Sequence, residues 1–525
     1  MTQKINQSVS FYAMCRIVVF LLLAVFYFAI PNARPDFTKF NANDSEHYLA
    51  LSYSLVNGIG YTRSMDNNYF VPHTTWPPGV PILMMPAVAV SGEKISWLAV
   101  KITSSLIGLL GIIFVWCLIR RETRDEFGAD FVALFVGLNP IYWDFSHQVM
   151  SEVPLTVWII SSLFIVDIVW RDRRVLWWEA FSFGSFIGMG MLIKGHAIGL
   201  IFSPLCYALH RSQEPLSRKN NLNMWFIFAL GFAVPFVAWG IRNSITDAIG
   251  FDGLNQLRML RAKNPVDPQS ELLSIWDTIT VVVKNFRHHM IHILPCEILP
   301  GLWNVKDWSL PGILALGLSV ALGLLCLGSK RLQLAILSVI LSISALNLVY
   351  AFGGAERFWI PVSILMTILI SLRFWKWLVG RERAFMLICI CVIGAVLTTN
   401  LIIYVLYHEK HPYSHRGAFK ELAEFFDETT KMNLYNKNVL TTHQNAFKLM
   451  TGYKSPPISA WHKESKPYYD YVVLRVDGKN PSPPHGAIQR LEVYPYGLYE
   501  LAKPTIGPEL LSEEQTKQLP FPPIK

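Results

Sequence analysis

The chain has 525 residues, of which 52% are hydrophobic and 16% are charged. Soluble domains carry roughly 25% charged residues, so this composition excludes an ordinary soluble protein and is typical of a chain that crosses a bilayer many times. The net charge of +9 comes with no basic groove or RNA-binding motif, and the seven cysteines form no CxxC pair. We therefore expect no nucleic-acid partner, no disulfide framework and no cysteine metal site.

Apolar runs of about 20 residues, the length that a helix needs to cross a bilayer, predict about eleven transmembrane helices. The first run is predicted to be an uncleaved anchor, and a cleaved signal peptide is the alternative. The Pro-rich stretch 77–90 is a candidate half-span. The predicted cores are 11–31, 95–119, 128–143, 153–170, 178–194, 196–210, 223–241, 309–328, 332–351, 359–373 and 384–406.

The loops between these runs fall into two alternating sets. One set is rich in basic residues, and the positive-inside rule assigns it to the cytoplasm. The N-terminus is then inside, and an odd number of spans places the C-terminal tail outside. The basic loop residues are Arg120, Arg121, Arg124, Arg171, Arg173, Arg174, Arg211, Arg218, Lys219, Lys330, Arg331, Arg373, Lys376, Arg381 and Arg383.

Three outer segments are large. A transmembrane domain is predicted over 1–406, with outer loops 32–96 and 242–308, and a small extracytoplasmic α/β domain over 407–525. In the tail domain, one helix candidate and three strand candidates are Arg416–Lys431, Asn438–Thr441, Tyr469–Val476 and Tyr496–Leu501. No internal repeat is visible, which weakens interpretations based on duplicated transporter halves.

The first outer loop opens with an acidic cluster. Asp44 and Glu46 stand at the start of a predicted helix, which Gly58 is expected to end. Such a helix can lie on the membrane surface, where Asp44 would meet both lipid headgroups and aqueous substrates. Glu46 has an equally good structural explanation, because it and Asn43 have the spacing of a capping box. The apolar face of this predicted helix contains Tyr48, Leu51 and Leu55.

Further ionisable residues fall at the outer ends of the predicted spans. They are Glu152, Lys194, His196, Arg242, Glu356 and Arg357. Any one of them could form a local ion pair or extend its charged group to the membrane edge. Because charges at the membrane edge are costly, several on one side of the membrane favour a shared site for an anion.

The order of these loop motifs resembles a known family. The motifs are an Asp44–Tyr48 pair with GxGY downstream, then PPGVPIL, SEVPL, LIKG, WxxRN and ERFWIP. This series, over about the first 400 residues, is similar to the bacterial GT-C glycosyltransferases, which are relatives of the protein O-mannosyltransferases and of the aminoarabinose transferases that modify lipid A.

The resemblance implies an inverting sugar transfer from a polyprenyl-phosphate donor at the outer membrane face. It implies Asp44 as general base or orienter of the acceptor hydroxyl, with Glu152 as the second catalytic carboxylate. Lys194, Arg242 and Arg357 stand where cations would hold the donor phosphate. The chemistry is coherent, since the acceptor proton needs a base and the leaving phosphate needs positive charge.

Two departures from the family pattern bear on the prediction. Ser45 separates Asp44 from Glu46, where the family often has adjacent Asp and Glu, and this puts the role of Glu46 in doubt. Trp76 precedes the paired prolines, where the aminoarabinose transferases have lysine, and this argues against the lipid A reaction. The ligand spacing indicates no definite metal site. A divalent metal is left open at Glu46, His47, His73 or Glu152.

Two other functions remain open at this point. One is a transporter or flippase of a lipid-linked or anionic substrate, and the other is a glycan polymerase or ligase that uses a diphosphate-linked donor. The expected partners of the favoured enzyme are the donor, a lipid, glycan or protein acceptor, and membrane lipids. The expected location is the bacterial inner membrane, with a periplasmic C-terminal domain.

Overall fold

In this computed structural model the described residues are 14, 16–28, 43–62, 72–74, 76–92, 94–171, 175–211, 215–246, 262–263, 271–289, 331–350, 356–379, 394, 398, 402, 425–426, 428–432, 434, 439–440, 449, 451, 468–475, 488–493 and 496–506. Contacts divide the chain into two compact units. The first unit is Met1–Ile30, Pro77–Gly79 and Ser105–Lys410, and the second is Pro31–Trp76, Val80–Ser104 and His411–Lys525. The domain boundary near 406 stays a prediction.

The described fold is mainly helical. The helices are α1 Arg16–Phe28, α2 Asn43–Val56, α3 Gly79–Ala89, α4 Trp97–Thr123, α5 Glu126–Gly137, α6 Pro140–Phe145, α7 Glu152–Trp170, α8 Trp177–Gly188, α9 Ser203–Arg211, α10 Pro215–Ile245, α11 Ile275–His288, α12 Arg331–Val349 and α13 Ile360–Leu378. Three segments form 3₁₀-helices, namely Met189–Leu192, Gly195–Phe202 and Glu356–Trp359.

Five helical segments of the described chain are long and apolar enough to cross a bilayer. They are Trp97–Thr123, Glu152–Trp170, Asn220–Ile245, Arg331–Val349 and Arg357–Leu378. The prediction of a mainly helical fold is thereby confirmed, and the five segments have the length and composition of membrane spans, whereas the number of eleven spans is not confirmed. Core 309–328 lies outside the described residues, core 384–406 is described only at 394, 398 and 402, and core 11–31 is described only at 14 and in the shorter α1.

Predicted span 128–143 is interrupted by a new helix start. α5 ends at Gly137 and α6 begins at Pro140. The Asn139 side chain accepts hydrogen bonds from the backbone N–H groups of Ile141 and Tyr142, both at 3.1 Å, and so caps α6. Proline is well suited to the first position of a helix, which fixes the break at this point. Cores 178–194 and 196–210 are likewise divided between short α-helices and 3₁₀ segments.

α7 and α13 form the centre of the first unit, because both are buried along most of their length. α10 is the most exposed of the five candidate spans. Apolar side chains on α10, such as Phe226, Val237 and Ile245, are largely exposed, as expected for a surface that faces lipid.

In the second unit, α2 begins and ends close to its predicted bounds. Gly58 has a φ of +70° and lies two residues beyond Val56, the last residue of the helix. The Ile59 N–H reaches back to the Ser54 carbonyl at 2.9 Å, which gives the helix the left-handed glycine end that the sequence predicted. The Ser52 hydroxyl donates to the Pro81 carbonyl at 2.7 Å, which joins α2 to α3.

The tail contributes a four-stranded sheet of order β1-β2-β4-β3. The strands are β1 Val439–Leu440, β2 Tyr468–Arg475, β3 Ile488–Val493 and β4 Tyr496–Ile506. β1 pairs parallel with β2, and the other pairs are antiparallel. Three strands overlap the predicted ones and β3 was missed. The extracytoplasmic α/β domain stays a prediction, because most of its helix candidate lies outside the described residues.

Candidate functional site

Glu152 is the first residue of α7 and is 1% exposed. Pro154 suits the first turn of a helix, where its missing N–H has no helical partner, so the SEVP motif starts the helix at this point. A carboxylate at a helix N-terminus is favoured by the helix dipole. A buried carboxylate also needs cationic partners to remain charged.

Two cations converge on this carboxylate. The Lys194 Nζ lies 2.7 Å from Glu152 Oε1, and the Arg357 Nε lies 3.8 Å from the same oxygen. Lys194 stands in extended backbone between two 3₁₀ segments, and Arg357 belongs to the 3₁₀-helix that precedes α13. Three separate segments of the first unit therefore build one charged cluster.

The two cations also share an aromatic neighbour. The Lys194 Nζ lies 4.2 Å from the centre of the Phe358 ring, and the Arg357 Cζ lies 5.2 Å from it. The side chain of Glu152 is 2% exposed, whereas those of Lys194 and Arg357 are 17% and 26% exposed. With one buried carboxylate and two more exposed cations, these three side chains together carry a net positive charge.

Asn347 connects the segments that carry the cations. Its side-chain amide donates to the Phe358 carbonyl at 3.0 Å, and its Oδ1 lies 2.7 Å from His196 Nε2. Because the amide group already donates, Oδ1 must accept, so His196 carries a proton on Nε2. Asn347 thus contacts both the residue after Arg357 and the 3₁₀-helix that directly follows Lys194.

Asn347 and Phe358 were missed by the sequence analysis. The available signal was an asparagine within the apolar run of α12, because an amide in a membrane helix needs partners inside the protein. Phe358 gave no comparable signal, since an aromatic residue at the start of a span is ordinary membrane-edge composition.

Arg242 has different contacts from the other predicted phosphate ligands. It lies in the last turn of α10 rather than beyond it. Its guanidinium stacks 4.8 Å from the Trp239 ring centre and donates to Asn243 Oδ1 at 2.9 Å. These contacts do not include Glu152, so its part in a phosphate site stays a prediction.

Asp44 and Glu46 belong to the second unit, in the first turn of α2. Glu46 is buried and its Oε1 lies 4.0 Å from His47 Nδ1, while Asp44 is partly exposed.

The Trp76 ring packs 6.0 Å from the His47 ring, beside the helix face that carries Asp44. Trp76 is held at its backbone, where its N–H donates to His73 Nε2 and its carbonyl accepts from Tyr61.

The metal ligands left open by the sequence do not form a cluster in the described part of the chain. Among those residues, no group of three or more His, Cys, Asp and Glu side chains has the arrangement of a metal site. His73 is engaged by the Trp76 backbone and Glu152 by Lys194.

Comparison with known proteins identifies a related family over the first outer loop and the spans that follow. Residues 75–239 match the sequence profile of the dolichyl-phosphate-mannose-protein mannosyltransferase family. This segment contains Glu152 and Lys194. A comparison with curated protein sequences gave no match.

The fold is similar to those of two solved glycosyltransferases. ArnT from Cupriavidus metallidurans, in a crystal structure with bound undecaprenyl phosphate, aligns over 94% of this chain and 98% of its own, with 14% identity and a TM-score of 0.58. The archaeal oligosaccharyltransferase AglB from Archaeoglobus fulgidus, in complex with an inhibitory peptide and a dolichol-phosphate, aligns over 89% of this chain and 70% of its own, with 12% identity and a TM-score of 0.50.

The loop motifs predicted the same relationship. The family match over 75–239 and the fold shared with ArnT bear out this resemblance to the GT-C glycosyltransferases.

Proposed function

We propose that this protein is an inverting glycosyltransferase of the bacterial inner membrane, which moves a sugar from a polyprenyl-phosphate donor to an acceptor hydroxyl at the outer face. The observation that carries the proposal is the pair of cations, Lys194 and Arg357, gathered on the buried carboxylate of Glu152. The undecaprenyl phosphate in the similar ArnT structure supports a polyprenyl phosphate as the carrier here.

In the proposed reaction, Asp44 takes the proton of the acceptor hydroxyl as the oxygen attacks the anomeric carbon. The bond between that carbon and the phosphate oxygen breaks, and polyprenyl phosphate leaves with the bonding electrons. Lys194 and Arg357 stabilise the charge that develops on the phosphate, with Arg357 suited to forked contacts. Arg242 is a further candidate ligand of the phosphate, and Glu46 is a second acidic group beside Asp44.

The contacts of Glu152 favour a positioning role over proton transfer. Both cations approach the same oxygen of its carboxylate, and its Oε2 accepts from Ser151 at 3.4 Å. A carboxylate held between two cations is a weak base. Glu152 is therefore proposed to orient the phosphate-binding cations, which revises the catalytic assignment made from the family pattern.

A reconstituted assay with polyprenyl-phosphate and polyprenyl-diphosphate sugars, and with membrane extracts as acceptor, tests the proposal. We expect transfer only from the monophosphate donor, loss of transfer in Asp44→Asn, and a fall of tenfold or more in kcat/KM in Arg357→Ala, or about 1.4 kcal/mol. Lys263→Ala, which removes an exposed ion pair with Glu271, serves as the control and should retain full activity.

Three results would contradict the proposal. Transfer from the diphosphate donor would favour a polymerase or ligase. Movement of the lipid-linked sugar across vesicles without transfer would favour a flippase. Full activity of Asp44→Asn would remove Asp44 from the mechanism while leaving the phosphate site to be judged by Arg357→Ala.

A further inference from the structure

The helix α11 has three distinct faces. With about 100° between successive residues, its side chains fall into three sectors of similar width. The inner sector packs on the protein and contains Thr278, Val281, Val282 and Asn285. An exposed polar sector contains Asp277, Thr280, Lys284, Arg287 and His288. An exposed apolar sector contains Ile275, Trp276, Ile279, Val283 and Phe286, each between 49% and 75% exposed.

The inner sector fixes α11 at the end of a membrane span. The Asn285 side-chain amide lies 3.0 Å from the Leu348 carbonyl, 2.8 Å from the Tyr350 carbonyl and 3.5 Å from the Asn347 carbonyl. Carbonyls at the end of α12 have no partners within their own helix, and the two N–H groups of this amide can satisfy two of them. Since α12 is one of the candidate spans, α11 lies at the level where that span leaves the bilayer.

From this arrangement we infer that α11 is a membrane-surface helix whose apolar sector lies among the lipid acyl chains. One face of this helix contacts the protein, and the two remaining faces differ in polarity. Such a pattern is typical of a helix at the membrane surface, where one exposed face contacts lipid and the other contacts water. Trp276 on the apolar side and Lys284 and Arg287 on the polar side suit the headgroup region and attract anionic lipids. The candidate span α10 also exposes large apolar side chains, so the apolar sector of α11 is of the same kind.

The same contacts join the membrane-surface helix to the cation site. Asn347, whose carbonyl lies near Asn285, also holds the Phe358 carbonyl through its side chain. His289, the residue after α11, is fully buried, and its ring lies 4.7 Å from the Trp359 ring. Burial lowers the pKa of His289 to about 4, so it packs as a neutral ring. The insertion of α11 into the membrane surface therefore helps to fix the position of the 3₁₀-helix that carries Arg357.

Photo-crosslinking of the full chain tests the inference without requiring enzymatic activity. Benzoylphenylalanine is placed at position 279 or 283 in the apolar sector, or at 280 or 284 in the polar sector. The protein is reconstituted in vesicles of phosphatidylethanolamine and phosphatidylglycerol, illuminated and weighed by mass spectrometry. We expect phospholipid adducts at 279 and 283 to exceed those at 280 and 284 several-fold.

Equal lipid adducts at all four positions, or cross-links at 279 and 283 to protein alone, would overturn the inference. The second result would mean that another segment or a second copy covers the apolar sector. Neither result depends on sugar transfer, so the inference and the proposed function fail separately.

Hydrogen exchange in the same vesicles tests the link to the cation site. The double variant Ile279→Asn/Val283→Asn should exchange faster at 285–289 and 356–359, whereas Thr280→Asn should exchange as the parent does. Unchanged exchange at 356–359 in the double variant would refute the coupling.

Discussion

At the scale of single residues, the cation site depends on one buried carboxylate. Glu152 is nearly inaccessible to solvent and is paired with Lys194 at 2.7 Å and more loosely with Arg357 at 3.8 Å. The net energy of such a pair is small, because desolvation of both charges offsets their attraction. Removing one partner is costly, because it leaves a buried charge without compensation.

We therefore expect Lys194→Met to destabilise the protein by about 3 kcal/mol, at the low end for a broken buried pair because Arg357 remains. Adding Glu152→Gln should recover part of this loss, since the buried charge is then removed as well. Thermal unfolding of both variants in detergent measures the effect. Lys263→Met breaks a pair of similar length, 2.8 Å, on an exposed surface and should leave the melting temperature unchanged. A double variant no more stable than Lys194→Met would argue against a charged Glu152.

At the scale of elements, α8 and α10 pack with their backbones in contact. Gly184 and Gly188 lie one turn apart on α8, in the spacing of small residues typical of membrane helix pairs. A Cβ at Gly184 would overlap the carbonyl of Phe228, and one at Gly188 would overlap the carbonyl of Phe232. The GxxxG pattern was present in the sequence, but its partner helix became known only from the fold.

Replacing Gly188 with alanine should destabilise the unit by about 1–3 kcal/mol, because the added methyl meets backbone atoms that cannot move aside. Melting temperature and the yield of monodisperse protein report the loss. Gly394→Ala is the matched control, because a Cβ there meets nothing within 4 Å. A stable Gly188→Ala variant would show that the two helices do not pack this closely.

At the scale of the whole molecule, the first unit has a buried carboxylate paired with cations near each end of α7. α7 carries Glu152 at its start and Asp167 about 22 Å further on, at a rise of about 1.5 Å per residue. The buried Asp167 pairs with Arg121 at 2.7 Å and Arg171 at 2.8 Å, and the Arg331 side chain donates to the Arg171 carbonyl at 2.9 Å. Residues from three loops of the predicted cytoplasmic set therefore meet at the end of α7 opposite the cation site, as expected if these loops lie on one side of the membrane.

Reporter fusions test that orientation directly. Alkaline phosphatase, which folds only outside the cytoplasm, should be active when fused after Lys525 and inactive when fused after Arg211, in a predicted cytoplasmic loop. We expect these activities because the loop that contains Arg211 belongs to the set rich in Lys and Arg, which the positive-inside rule assigns to the cytoplasm. An inactive fusion after Lys525, confirmed by a fluorescent cytoplasmic reporter at the same position, would require an even number of spans or the opposite orientation.

The sequence by itself predicted the apolar spans, the bounds of α2 and the residue types of the cation site. These follow from local properties, namely the length of an apolar run, the charge of a loop and a glycine after a helix. The break at Asn139–Pro140 was missed within the predicted span 128–143, although an asparagine cap and a following proline are a local signal for a new helix start.

Only the tertiary structure decided which charges meet. Glu152, Lys194 and Arg357 are far apart along the chain, and the choice of Glu152 as their common partner depends on how α7, α13 and the intervening loop pack. The same holds for Asn347, which joins three segments, and for α11, whose apolar sector could have been a protein core. Pairing energies inside a protein depend on burial and on distance, and both are fixed only once the helices are in place.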